Sequence, residues 1–239
     1  DMTPAEYRWV LQNTGVDLGE PSYDLEYGFG LIDVSAAIES YEELAASFLP
    51  FSDVSISDPF CSAVKMTYER GVMGGISPTK FAPDAPVTRA MAVTALHRLA
   101  GLPSAGFASV QTNLFTDVPG GEWFSDAVSW AASAGIVSGM GDGTFAPHSG
   151  VTREQMAIIL RNYVLNIPDF RASGSAISSD PGILSRFVDG PTVSPWAIEA
   201  VAWVVNAGLI DDGGDGALDP QGSPSRAEVA VMLYRFLQR

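Results

Sequence analysis

A glycine, a loop and an arginine recur three times at one spacing, and this repeat limits what the chain can fold into. Gly71 precedes Arg89, Gly135 precedes Arg153 and Gly208 precedes Arg226, by 18 residues each time. Upstream stand Phe51, Phe115 and Phe187, at 20, 20 and 21 residues from their glycines. The first two open Phe51-Ser52-Asp53-Val54 and Phe115-Thr116-Asp117-Val118, and the third keeps Phe187-Val188-Asp189. Between glycine and arginine lie Phe81 and Pro83, Phe145 and Pro147, Leu218 and Pro220. The copies start 64 and 72 residues apart, so the variable part is the link between them. A unit this small buries little apolar surface alone, which predicts that the copies pack on one another.

Each copy reads as helix, loop, helix. In copy one, Asp58 is expected to cap and Pro59 to open a helix ending before Gly71, with Phe60, Ala63, Val64 and Thr67 on one face. The matching helix of copy two runs from about Glu122 to Ala134, and Ser194-Pro195 opens that of copy three. Gly71, Gly135 and Gly208 supply the closing turns. The loops that follow are SPTKFAPDAPV, GDGTFAPHSGV and GDGALDPQGSP, in which Phe81, Phe145 and Leu218 are expected to plug the loop onto the helices. Thr88, Thr152 and Ser225 then start the second helices. Thr152 with Gln155 and Ser225 with Glu228 make capping boxes, whereas Met91 offers no return acceptor to Thr88. Their apolar stripes (Ala92, Ala95, Leu96, Leu99; Met156, Ile159, Leu160, Tyr163; Val229, Met232, Leu233, Phe236) can meet in one central bundle of an all-α protein. Residues 101–114 and 164–186 are the links, the second long and polar.

The 239 residues suffice for one or two domains with a sizeable core. A formal charge of -15, from 13 basic and 28 acidic residues, argues against a nucleic-acid partner, whose phosphates would be repelled. No run of eighteen apolar residues occurs, so no membrane insertion is predicted. The single cysteine, Cys61, excludes an internal disulfide and reads as a buried, inert thiol. Residues 1–48 stand apart from the repeats. Thr3-Pro4-Ala5-Glu6 is a capping box with proline at the first helical position, and Asp33 is placed to cap a helix from Val34 to about Phe48. Asp1 looks like a processing or cloning boundary.

Arg89, Arg153 and Arg226 each stand in a first helical turn, where a cation is disfavoured against the helix dipole by about 0.3–1 kcal/mol. Something other than helix stability asks for them. They either bridge to carboxylates such as Asp53, Asp117 and Asp189 and tie the copies together, or join free backbone N–H groups in an anion seat. Lys80 gives copy one a second cation where copies two and three have Thr144 and Ala217. Trp130 and Trp203 read as packing, while Trp123 and Trp196, at helix starts near the loops, are candidates to stack on a sugar; copy one has Pro59 there. Gly141-Asp142-Gly143 and Gly214-Asp215-Gly216 read as turns, because the spaced ligands of a calcium loop are missing. His97 and His148 lack partner ligands, so neither a metal nor a cofactor is expected. There is no nucleophile elbow, phosphate loop or HExxH, and no catalytic residue is assigned.

The pattern F-x-D-V, G-x-x-x-G-x-x-D-G-x-F-x-P and T-R-x-[EQ] resembles the S-layer homology motif of bacterial cell-surface proteins. Residues 49–108, 109–176 and 177–239 would be its three copies. The resemblance implies a pseudo-threefold, three-pronged helical domain whose inter-prong grooves bind secondary cell-wall polysaccharide, often pyruvylated, outside the cell at the wall or S-layer. On this chain it implies groove arginines Arg89, Arg153 and Arg226, motif-start acids Asp53, Asp117 and Asp189, and loop glycines Gly75 and Gly139. Asp212 stands where copy three would have its loop glycine and is expected to repel an acidic sugar; Pro59 is expected to weaken copy one.

Residues 1–48 resemble the C-terminal end of a subtilisin-like serine protease domain, through Thr3 to Glu6 and Tyr27 to Ala37. The G-T-S-M-A stretch and the rest of the triad are absent, so these 239 residues are not expected to hydrolyse peptides, although a parent protein would. The leading expectation is therefore noncovalent anchoring to an anionic wall glycan. The rivals are a protein-interaction or structural module associating with the protease domain, and the noncatalytic chain of a processed peptidase.

Overall fold

A computed structural model describes residues 8, 11, 14–16, 31–37, 49–102, 114–168, 178–210 and 216–238. Its regular elements are helical: α1 (Cys61–Glu69), α2 (Arg89–Leu99), α3 (Ser125–Ser133), α4 (Arg153–Asn166), α5 (Ile198–Asn206) and α6 (Arg226–Leu237), with 3-10 segments at Pro181–Arg186 and Gly190–Thr192. No sheet forms among the described residues. The extended contacts there are isolated bridges, including Val16 with Leu31 in the N-terminal flank.

The second helices begin where their caps place them. Thr88, Thr152 and Ser225 each accept the N–H of the third helical residue, and the Thr152–Gln155 and Ser225–Glu228 boxes are closed in both directions. The first helices begin two or three residues later than the sequence suggests. Their N-caps are Phe60, Phe124 and Ala197, none with a side-chain cap bond. Asp58 does not cap: its carboxylate accepts the Ser55 N–H at 2.7 Å, which tightens the preceding turn instead. Gly71, Gly135 and Gly208 end these helices with φ of +67°, +69° and +56°, a conformation that a Cβ disfavours. Cys61 is half-buried at the start of α1. The second link carries helix at both ends: α4 extends to Asn166 and the 3-10 segments precede the third copy's helix.

Helices pack across copies. The second helix of each copy lies on the first helix of the next: α2 on α3, α4 on α5, and α6 back on α1. The last pair closes the ring, joining residues at opposite ends of the repeat region. The extended residues just before α2, α4 and α6 meet at the hub, where Val151 N–H donates to Val87 O at 3.0 Å and Val87 N–H to Pro224 O at 3.1 Å. Val87 and Val151 are buried there. One apolar core runs through all three copies and includes Leu96, Trp130, Leu160, Tyr163, Trp203 and Leu233. Closure is therefore a requirement for burial, since no copy encloses its own helices.

Candidate functional site

The loop between first and second helices is shaped by the aspartate that opens each copy. Asp53 accepts the N–H groups of Phe81 and Ala82, both at 2.8 Å. Asp117 accepts those of Phe145 and Ala146 at 2.7 Å, and Asp189 those of Leu218 and Asp219 at 2.8 and 2.7 Å. Both carboxylate oxygens are thus spent on the loop. For Asp53, burial pushes the carboxyl up, but the two N–H groups outweigh it and the net pKa is lowered. The clamped residues Ala82, Ala146 and Asp219 hold φ of +58°, +57° and +47°, which costs an L-residue about 1–2 kcal/mol. Two charge-assisted bonds per copy offset that strain. Phe81, Phe145 and Leu218 are driven fully inward as the expected plugs.

Each arginine reaches into the next copy. Arg89 lies over the Phe145 ring, 4.5 Å from its centroid, and donates from Nε to Phe145 O at 2.8 Å and from Nη2 to Ser138 O at 3.1 Å. Arg226 does the same to copy one: 4.5 Å over Phe81, with Nε to Phe81 O at 2.8 Å and Nη2 to Gly74 O at 2.5 Å. Both side chains are buried. Burial lowers their pKa, opposed by the charges of Asp117 and Asp53 respectively, without a contact ion pair to either. So the arginines do tie copies together, but through carbonyls and a ring rather than through the aspartates.

The helix starts are not free anion seats. Arg89 and Ala90 N–H groups donate to Ser149 and Pro147 carbonyls, Arg153 and Glu154 to Gly222 and Pro220, Arg226 and Ala227 to Ala85 and Pro83. The third N–H goes to the capping hydroxyl. What remains open is a groove beside each buried guanidinium.

Two grooves are fully described, and three copies build each one. In the first, copy one gives the loop Val72–Ile76 and the α2 face Met91, Thr94, Ala95 and Arg98; copy three gives Arg226 and copy two gives Trp123. In the second, copy two gives residues 136–140 and the α4 face Gln155, Ile158, Ile159 and Asn162; copy one gives Arg89 and copy three gives Trp196. Their volumes are about 280 and 420 Å³. Trp123 and Trp196 are 56% and 59% exposed, whereas Trp130 and Trp203 are buried as expected. Gly75 and Gly139 sit in the groove walls because nothing larger fits. A Cβ at Gly75 would lie 2.5 Å from the Phe51 ring, and one at Gly139 2.6 Å from the Phe115 ring.

The indole comes from the following copy, so the groove of copy one is bordered by Trp123 and Pro59 does not deprive it of a ring. By the same register, Pro59 belongs to the third position, with Arg153 and α6. Lys80 is exposed and outside the lining of the groove in copy one. Asp212 lies outside the described residues. The α2 and α4 faces were not singled out from sequence, although Arg98 and Asn162 share one register, nine residues beyond the repeated arginine.

At the third position Arg153 behaves differently. Leu218 offers it no ring, and its Nη1 meets Glu228 Oε1 at 2.5 Å. Its Nε is buried without a hydrogen-bond partner among the described residues. Beside it Glu154, also buried, accepts from Ser194 N–H and Oγ–H at 3.0 and 2.9 Å and from Gln221 Nε2 at 3.3 Å. The joint between copies two and three is thus carboxylate-rich where the others use carbonyls and rings.

The family model described as "S-layer homology domain" matches residues 50–92, 114–157 and 186–230, together more than half of the chain. An endoglucanase of Bacillus sp. (strain KSM-635) is 30% identical over 85% of the chain and 20% of its own length. An amylopullulanase of Thermoanaerobacterium thermosulfurigenes is 27% identical over 74% of the chain and 9% of its length. A cellulosome-anchoring protein of Acetivibrio thermocellus is 24% identical over 71% of the chain and 35% of its length. The chain therefore spans only a minor part of these curated relatives. No helix among the described residues is long and apolar enough to cross a membrane. With the closed ring of three loop-and-arginine copies, these matches place the chain in the S-layer homology family, whose noncatalytic domains hold proteins noncovalently to the bacterial cell wall.

Proposed function

We propose that the two described grooves bind an acidic secondary cell-wall polysaccharide, with a pyruvate ketal or similar carboxylate as the charged group. One observation carries this reading: each groove joins a buried guanidinium, a glycine-bearing loop wall and an exposed indole, drawn from three different copies. A sugar ring has one apolar face for the indole and hydroxyls for loop carbonyls and amides. The chain as a whole carries -15, so local cations are what would favour an acid here. Arg226 with Arg98 serves the first groove and Arg89 the second. Asp53, Asp117 and Asp189 contribute by holding the loops, Gly75 and Gly139 by letting those loops pack against Phe51 and Phe115. Sedimentation with purified wall polysaccharide tests this. Pyruvylated glycan should retain the protein and stripped glycan should not, and Trp123→Ala with Trp196→Ala should reduce retention about tenfold, or about 1.4 kcal/mol. Equal retention on both glycans would remove the acidic group from the reading.

The flank at 1–48 supports a further proposal about the parent protein: a wall-attached subtilisin-like serine protease, or a processed one whose catalytic chain associates with this module. Most of that flank lies outside the described residues. Within it Val16 and Leu31 exchange both backbone bonds, at 2.8 and 2.9 Å, and Asp33 accepts the Ala36 N–H at 2.9 Å as a cap would. Sequencing the gene upstream of Asp1 tests this; without a Ser, His and Asp triad encoded there, the protease parent is abandoned.

A further inference from the structure

We propose that the groove position between copies two, three and one is closed to acidic ligands by the protein's own carboxylate, and that Glu228 is the residue that closes it. This rests on the reading that the other two grooves bind an acidic glycan. Met91, Gln155 and Glu228 occupy the same third position of α2, α4 and α6. Met91 and Gln155 line the two described grooves and are neutral. Glu228 is charged, and it occupies the guanidinium of Arg153 at 2.5 Å. An external acid would have to displace a partner attached to the same molecule, which is present at high effective concentration and loses no translational freedom on pairing.

Other residues of the third position agree. Leu218 replaces the phenylalanine on which Arg89 and Arg226 lie, so Arg153 is free to turn toward α6. Pro59 replaces the exposed tryptophan. Burial pushes the Glu228 carboxyl up, but the Ser225 N–H and the Arg153 guanidinium outweigh it and hold it below the usual glutamate value, so it stays ionised at neutral pH. Glu228 then supplies the ligand's charge from within, beside the second carboxylate that Asp212 brings to this copy in sequence.

The test uses Glu228→Gln. Copy two shows that glutamine at this position still closes the capping box, through Thr152 and Gln155. Glu228→Met, copying Met91 of the first copy, serves as a second neutral variant. Arginine Nε–H and indole N–H resonances are followed by NMR while the full chain is titrated with a methyl 4,6-O-pyruvylated hexoside. In the unmodified protein the signals of Arg89, Arg226, Trp123 and Trp196 should move and that of Arg153 should not. In either Glu228 variant Arg153 should also move, saturating at about tenfold higher ligand for want of an indole. Movement of Arg153 in the unmodified protein, or its immobility in both variants while the other signals move, overturns the proposal. If none of the signals moves in the unmodified protein, the glycan reading fails and takes this proposal with it.

Discussion

Arg89 and Arg153 stand at the same position of the same motif and do opposite things. Arg89 is buried against a phenylalanine ring and gives its N–H groups to two carbonyls of the next copy. Arg153 has no ring at the equivalent position, which is Leu218, and pairs with a carboxylate. The difference lies in the partner copy, at Leu218 and Glu228, and not near Arg153 itself. A repeated residue therefore keeps its backbone setting while its side chain takes its role from a neighbour one copy away.

Removing the arginines probes this contrast most strongly. Arg89→Ala or Arg226→Ala loses a cation–π contact and leaves one buried and one part-buried carbonyl unpaired, with an expected loss of about 3 kcal/mol. Arg153→Ala breaks one partly exposed pair, and an expected loss of about 1 kcal/mol follows. Urea unfolding should place the first two variants well below the third. Equal losses would show that the carbonyl contacts add nothing beyond the ion pair.

Acid should distinguish the joints next. Glu228 has a folded pKa below its ordinary 4.5, so its contribution is fully present above that pH and disappears as pH falls through the lowered folded value. Asp53 acts in the same direction from its ordinary 3.8. The arginine-to-carbonyl contacts themselves contain no carboxylate, although Asp53 holds the loop that Arg226 meets. Amide-exchange protection relative to the intrinsic rate, followed from pH 5 to pH 3 at the Ser225 N–H that Glu228 holds at 2.6 Å, should fall before that of Val151 in the hub. Simultaneous loss at both sites would mean that the ring opens as one unit.

The smallest effect concerns the loops. Ala146→Gly removes the left-handed strain of an alanine and should stabilise by about 1 kcal/mol, or roughly 2–4 °C in a chain of this size. Asp219→Gly should gain less, because aspartate tolerates that conformation better. Thermal melts of the two variants compare the loops of copies two and three directly. A larger gain at Asp219 would reverse this ranking of strain.

Much of the fold was legible because it rests on local rules. Thr88, Thr152 and Ser225 announce helices through their hydroxyls, and Gly71, Gly135 and Gly208 end helices through their freedom at positive φ. Helix starts were less legible at Asp58, whose carboxylate is drawn into a turn by the Ser55 N–H. Of the candidate site, residue types were readable and allegiances were not. Asp53, Asp117 and Asp189 stood out as repeated acids, yet nothing local says that their partners are loop N–H groups 28 to 30 residues away. Pro59 pointed to a defect in copy one that belongs to the third position, since indoles are exchanged between copies.

The order and spacing of residues settled that there would be three like units, each with capped helices, a glycine-bounded loop and an arginine at a helix start. These depend on interactions within a few residues and on a periodicity that any stretch of the chain carries. Only the closed ring decided which arginine meets which loop, which tryptophan borders which groove, and that Glu228 neutralises Arg153. The arginine pairings span 49 to 152 residues of chain, and they form only when the copies pack into one core.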